Sequence, residues 1–213
     1  MDNYVITIAR GFGSGGKDIG TRLSKRLGIP CYERQLLTMA SEKSGIAESV
    51  FVENDERLRG IKLTGLMHRL PQTKATVLEP HEKAFVSDEN VFNIQSELIR
   101  TLAKTESCII IGKCADDILK EYDNVLSVYI EAPRSACVAS IREKMHVSEE
   151  RANYLIRTTD KYRAKYYSYY TGGKDWTNPI NYDCILNSDR LGRENCVDVI
   201  CDMLKTKLKV NFN

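Results

Sequence analysis

The sequence predicts an α/β fold in which a central parallel sheet carries helices on both faces, and three observations predict it. Short β-branched apolar runs alternate with helical periodicities along the chain, as they do when each strand is followed by a covering helix. The run Ser107-Cys-Ile-Ile-Ile-Gly112 is apolar at every interior position, the pattern of a strand buried on both sides. A glycine-rich loop stands between the first apolar run and the first helical period, which makes that junction a strand, loop and helix in sequence.

The first strand is Tyr4-Val-Ile-Thr-Ile-Ala9, and the helix from Lys17 to Leu27 repeats Ile19, Leu23 and Leu27 every four residues. Gly28-Ile-Pro30 stops that helix, and Cys31-Tyr32 forms a short second strand. Glu33-Arg34-Gln-Leu-Leu opens another helix, which ends by Gly45. Residues 45–86 carry breakers at Gly60, Gly65, Pro71 and Pro80. A helix from Glu48 to Arg59 is expected there, with loop beyond it. His68, His81 and Lys83 are read as surface residues.

Ser87 caps a helix whose Val91, Ile94, Leu98, Ile99 and Leu102 share one face. After the 107–112 strand, a short helix leads to a strand over Asn124 to Ala132. Pro133 then suits the first position of a helix reaching Met145. Ser148-Glu-Glu-Arg opens a long helical segment with apolar Ala152, Leu155, Ile156, Tyr162 and Tyr166. A last strand, Tyr182 to Leu186, precedes a helix from Arg193 to about Leu208 with Val197, Ile200, Cys201, Leu204 and Leu208 on one face.

Composition narrows the function classes. With 213 residues, 42% hydrophobic and 28% charged, one sizeable core is expected. A net charge of +2 does not describe a nucleic-acid binder, and no stretch has the length of apolar residues that a membrane span needs. The chain opens on a core strand, so no signal peptide is expected. Seven cysteines without a C-x-x-C pair read as free thiols in a reducing cytoplasm. Three scattered histidines give no reason to expect a metal site built from protein ligands.

Counted from Gly11, the loop Gly11-Phe12-Gly13-Ser14-Gly15-Gly16-Lys17 reads G-x-x-x-x-G-K, the phosphate-binding signature. Its glycines let successive backbone N–H groups turn inward around an anion, the next helix adds its positive amino-terminal end, and Lys17 reaches the β- and γ-phosphates. A di- or triphosphate is the expected guest. Asp18 stands where Ser or Thr would usually offer a hydroxyl to Mg²⁺. The fold class is therefore a P-loop NTPase-type three-layer α/β/α sandwich, formed by residues 1–213 as one domain.

Within that domain, 45–86 is an acceptor-side or oligomer-contact insertion and 148–175 a basic, lid-like segment. Strand ends bordering the loop's crevice place Glu33 and Arg34 to meet a second substrate, or leave them as solvated charges at a helix start. In the lid-like segment Arg157 and Lys161, four residues apart, share a helix face, and Arg163 is expected close beside them. As a group they suit neutralisation of the charge that phosphoryl transfer spreads over equatorial oxygens.

Four segments resemble the motifs of the cytidylate kinase-like family: Ile6 to Lys17, Ile29 to Arg34, Ile109 to Asp116, and Asp160-Lys-Tyr-Arg-Ala-Lys-Tyr-Tyr167. The stretch Trp176 to Ser188 is similar as well. The resemblance implies ATP as donor, Mg²⁺ as helper and a nucleoside monophosphate, CMP or dCMP, as acceptor. It also implies that Lys17 binds donor phosphates, that Arg34 and Lys113 hold the acceptor phosphate, and that Asp160 and Arg163 act at the lid and acceptor side. Taken with the residue reading, the expected sites are donor binding by residues 11 to 18, acceptor contacts from Glu33, Arg34, Lys113, Asp116 and Lys161, and catalytic roles for Lys17, Arg157, Asp160 and Arg163. Three features depart from the family pattern: Lys113 stands where Arg is usual, Ile19 where such kinases place a hydroxyl, and 45–86 matches poorly. The alternative is a nucleotide-binding regulatory or interaction module without turnover; a homo-oligomer fits either reading.

Overall fold

β1 (Val5–Arg10) lies at the centre of a five-stranded parallel sheet of order β2-β3-β1-β4-β5, in the computed structural model, which describes residues 3–48 and 88–210. It pairs on one side with β3 (Cys108–Ile111) and on the other with β4 (Val125–Glu131). β2 (Cys31–Tyr32) and β5 (Cys184–Asn187) form the edges.

Successive side chains of a strand point to opposite faces, and the sheet sorts its residues on that rule. Val5, Cys108, Ile110 and Val125 bury one face against α2 (Gln35–Ser44), α3 (Asp88–Thr105) and α4 (Ala115–Ile118). Ile6, Ile8, Ile109, Ile111, Leu126 and Val128 bury the other against α1 (Gly16–Leu27) and α8 (Arg193–Leu208). The result is a three-layer α/β/α sandwich. The helix faces expected from the periodicity are the buried ones, including Ile19 and Leu23 of α1 and Val197, Ile200 and Leu204 of α8.

Two further helices follow β4. α5 (Arg134–Met145) starts one residue later than expected, because Pro133 has extended backbone (φ −52°, ψ 145°) and serves as the cap. α6 (Glu149–Tyr170) is capped by Ser148, whose hydroxyl accepts from Arg151 N at 3.2 Å. Its carboxyl-terminal half packs Tyr166, Tyr167 and Tyr170 over Ala9 and Tyr129 at the carboxyl end of the sheet, and Phe92 of α3 stacks on Tyr170 at 3.9 Å.

β5 begins two residues later than expected, since Tyr182 closes a 3₁₀ turn at Pro179–Asn181 and donates its hydroxyl to Trp176 O. A short α7 (Ser188–Leu191), not foreseen from the sequence, is capped by Asn187. The helix expected from Glu48 to Arg59 beyond its first residue, the Ser87 cap, the surface residues His68, His81 and Lys83, and nearly all of the 45–86 insertion lie outside the described residues. All seven cysteines are free thiols. Among the described residues, no helix is long and apolar enough to cross a membrane.

Candidate active site

The loop between β1 and α1 is fastened on three sides. Gly11 N donates to Ile130 O of β4 at 3.1 Å, and the buried Ser14 hydroxyl lies within 3.0 Å of both Gly11 O and Ile130 O. From the β5 side, Ser188 Oγ donates to Ser14 O at 2.5 Å. From α6, the Asp160 carboxylate accepts from Phe12 N at 2.8 Å.

Gly13 and Gly15 have φ of 94° and 85°, a left-handed region that an L side chain enters only at a cost. Gly11 is required for space instead: a Cβ there would stand 2.4 Å from a Glu131 carboxylate oxygen. The backbone thus presents a concave run of N–H groups at the start of α1, a cradle that side chains would fill and that fits a phosphate chain.

Lys17 extends from this cradle with a side chain 72% exposed, and its ammonium meets Glu33 Oε2 at 2.7 Å. The other Glu33 oxygen holds Arg10 Nη2 at 3.0 Å. Burial acts to raise the Glu33 pKa, yet Lys17 and Arg10 outweigh it and hold the carboxyl below its ordinary range. Glu33 is therefore an ionised bridge between the loop lysine and the last residue of β1.

On the β2 and β3 side of Lys17 a cleft of about 520 Å³ opens between the strand ends and α6. Arg10, Glu33, Arg34, Lys113, Asp116 and Arg163 supply its charges, while Phe12, Tyr162, Tyr166 and Trp176 give it an aromatic wall. Four cations against two carboxyl groups, beside an aromatic wall, are a lining that suits an anion with an apolar or planar body. Its floor is unusual backbone: Gly112, Lys113 and Cys114 have consecutive φ values of 73°, 59° and 55°, closed by Ala115 N donating to Gly112 O at 3.1 Å. Left-handed backbone costs a non-glycine residue about 1–2 kcal/mol, so the turn stores strain where Lys113 and Cys114 line the cleft.

The site gathers some of the expected residues and separates others. Arg163 turns inward: Nη1 donates to Arg10 O at 2.9 Å and lies 3.6 Å from Asp160 Oδ1, with Phe12 beneath the guanidinium. Burial and then Arg10 press its pKa down to about 9, which leaves it charged at neutral pH. Asp160 is shifted upward by burial, against the pull of the Phe12 amide and Arg163.

Arg157 and Lys161 are exposed and do not line the cleft, so the expected cationic trio is not assembled. The reason is helical geometry, since two residues advance about 200° and Arg163 faces away from Lys161. Asp116 reaches the cleft wall but is buried, accepting the Tyr167 hydroxyl at 2.6 Å. Burial raises its pKa to about 6, although Tyr167 pulls the other way.

Three residues were not anticipated. Arg10 and Glu131 sit at the carboxyl ends of β1 and β4, and that position alone is a signal for a crevice residue. Arg193 comes to the loop from α8, where no local pattern marks it. For Mg²⁺, the chain offers little beside Lys17: Asp18 is engaged by Arg22 and Arg193, and Ile19 is buried and apolar. Among the described residues no three His, Cys, Asp or Glu side chains cluster to hold a metal ion.

Residues 5–190 match the model of the cytidylate kinase-like family. No curated protein matches the sequence. Among solved structures, an uncharacterized protein from Eubacterium ventriosum is similar at 22% identity and a TM-score of 0.69, over 95% of this chain and 99% of that one. A sugar kinase from a Janibacter species is similar at 14% identity and a TM-score of 0.53, over 98% and 95%. Shikimate kinase from Bacteroides thetaiotaomicron reaches 13% and 0.52, over 95% and 98%. At these identities the likeness is one of fold.

Two outcomes are expected from this geometry. Glu33→Gln releases Lys17, so ATP affinity measured by calorimetry should rise about two- to fivefold, the scale of a partly exposed ion pair. Asp116 has a folded pKa raised above its ordinary 3.8, so ionisation costs stability progressively from there to about 6. The stability of wild type relative to Asp116→Asn, read from urea unfolding, should therefore fall between about pH 4 and about pH 7.

Proposed function

The chain belongs to the cytidylate kinase-like family, and we propose that it is an ATP-dependent kinase of a small anionic acceptor, a nucleoside monophosphate such as CMP or dCMP. The observation that carries this reading is the placement of Lys17, between the glycine-rich loop that opens α1 and the cation-lined cleft that its partner Glu33 borders. ATP is the donor. Mg²⁺ would be brought by the donor phosphates and held largely through water, since Ile19 is apolar and the Asp18 carboxylate is paired with Arg22 and Arg193.

An acceptor phosphate is already an anionic nucleophile, so the protein needs to supply position and charge rather than a base. One acceptor oxygen forms the new bond to the γ-phosphorus as the bond to the β,γ-bridging oxygen breaks, yielding ADP and a phosphorylated acceptor. Arg10, Arg34 and Lys113 draw the acceptor phosphate to the cleft mouth. Arg163 adds a guanidinium facing the loop, and Asp160 ties its helix to Phe12 so that the two substrates' walls move together. The aromatic residues receive the nucleoside. The seven free thiols support work in a reducing, cytoplasmic compartment.

The second reading, a nucleotide-binding module without turnover, is favoured by the engagement of Asp18 with arginines and by Ile19 in place of a hydroxyl. Incubation of the full chain with ATP, Mg²⁺ and a panel of monophosphates separates the two. A kinase releases ADP only with a specific acceptor, and Lys17→Ala and Arg163→Ala each lower that rate about 100-fold. ATP binding with no acceptor-dependent ADP from any of them favours the module.

A further inference from the structure

Asp18 follows the loop lysine, yet its carboxylate Oδ2 accepts from Arg193 Nη1 of α8 at 3.1 Å and from Arg22 Nε, one turn on in α1, at 3.2 Å. This contact lays the Arg193 side chain across the phosphate loop. A Cβ on Gly15 would stand 3.0 Å from Arg193 Nε and 3.6 Å from Cζ. Gly15 is the cap of α1 in left-handed backbone, so Arg193 covers the point at which the helix's unsatisfied N–H groups begin.

The neighbouring turn is fixed as well, because Ser188 donates to Ser14 O and the α8 cap, Gly192, lies four residues on. Arg193 is thus held against the loop by the fold and not by chance surface contact. Its side chain is 38% exposed, which leaves the guanidinium open to a ligand.

In-line transfer sets what that ligand is. Attacking and leaving oxygens lie on opposite sides of the moving phosphorus. The acceptor cleft occupies the β2 and β3 side of Lys17, so the departing nucleoside diphosphate extends toward β4 and β5, the side from which Arg193 reaches the loop. A planar guanidinium suits phosphate oxygens there, donating two N–H bonds at once.

We propose that Arg193 is a donor-positioning residue which binds the non-transferred phosphates of the nucleoside triphosphate, with Asp18 as its counterion until the donor arrives. The proposal rests on the kinase reading of the loop. It gives the acidic residue after Lys17 a purpose, since Ser or Thr in that place has no charge with which to hold an arginine.

Calorimetric titration of the full chain with ATP, inorganic tripolyphosphate and adenosine tests it. Arg193→Gln should weaken both ATP and tripolyphosphate about tenfold while leaving adenosine and the melting temperature unchanged. Arg193→Lys should recover part of the loss, and Asp18→Asn should bind ATP as tightly as wild type or more so. If Arg193→Gln weakens ATP but not tripolyphosphate, the residue serves the base and the proposal falls. Unchanged affinity for both also overturns it, leaving the ion pair with Asp18 as structural. If wild type binds neither ATP nor tripolyphosphate, or Lys17→Ala binds them as well as wild type, the kinase reading itself fails, whatever Arg193 does.

Discussion

The constraint on which the rest of the structure depends is a loop of nearly bare backbone, crowded by other elements at the carboxyl end of the central strand. Each glycine of the loop marks where a different element closes in: Glu131 of β4 at Gly11, Cys137 of α5 at Gly13, Arg193 of α8 at Gly15 and Arg10 of β1 at Gly16. Side chains at those positions would push the elements apart or occupy the cradle. The sheet order that sets β1 between β3 and β4 lets the cleft on the β2 and β3 side and the contacts from β4, α5 and α8 meet at one loop.

Charge is organised around the same point. Glu33 shares its two oxygens between Arg10, which lines the cleft, and Lys17 of the loop, to which the proposed function gives the donor phosphates. Donor phosphates that draw Lys17 away leave Glu33 with Arg10 alone, which changes the field the acceptor meets. Such a shared counterion is a physical route by which one substrate's binding is felt at the other site. On α6, Asp160 and Arg163 do related work, since one grips the Phe12 amide and the other the Arg10 carbonyl, three residues apart on a single face.

Much of the architecture was legible because burial writes itself into periodicity. The central strands β1 and β3 show as continuous β-branched apolar runs, buried along nearly their whole length, and the faces of α1, α3 and α8 repeat by the helix rule. The loop was legible because only glycines satisfy its geometry. Glu33, Arg34 and Lys113 could be read from their places at strand ends, and Arg10 and Glu131 carried the same signal unused. The facing of the basic residues on α6 was misjudged through helix angle: Lys161 and Arg163 are near in sequence and nearly opposed around the helix. Arg193 and the Asp160 contact were not legible at all, since each depends on segments about 150 residues or more apart meeting in the folded chain. Asp18 looked like a defect in a motif until its partner across the fold was known.

In the proposed kinase the donor's phosphates sit on the amides of the β1 to α1 loop, with the cleft left for another molecule. Amide chemical-shift mapping of the isotope-labelled chain tests it most directly. Added ATP should move the signals of Gly13 to Lys17 together with Glu33 and Arg193, while Gly112 to Cys114 respond to a monophosphate acceptor. Shifts from ATP confined to Gly112, Lys113 and Cys114, with Gly13 to Lys17 unmoved, would contradict it.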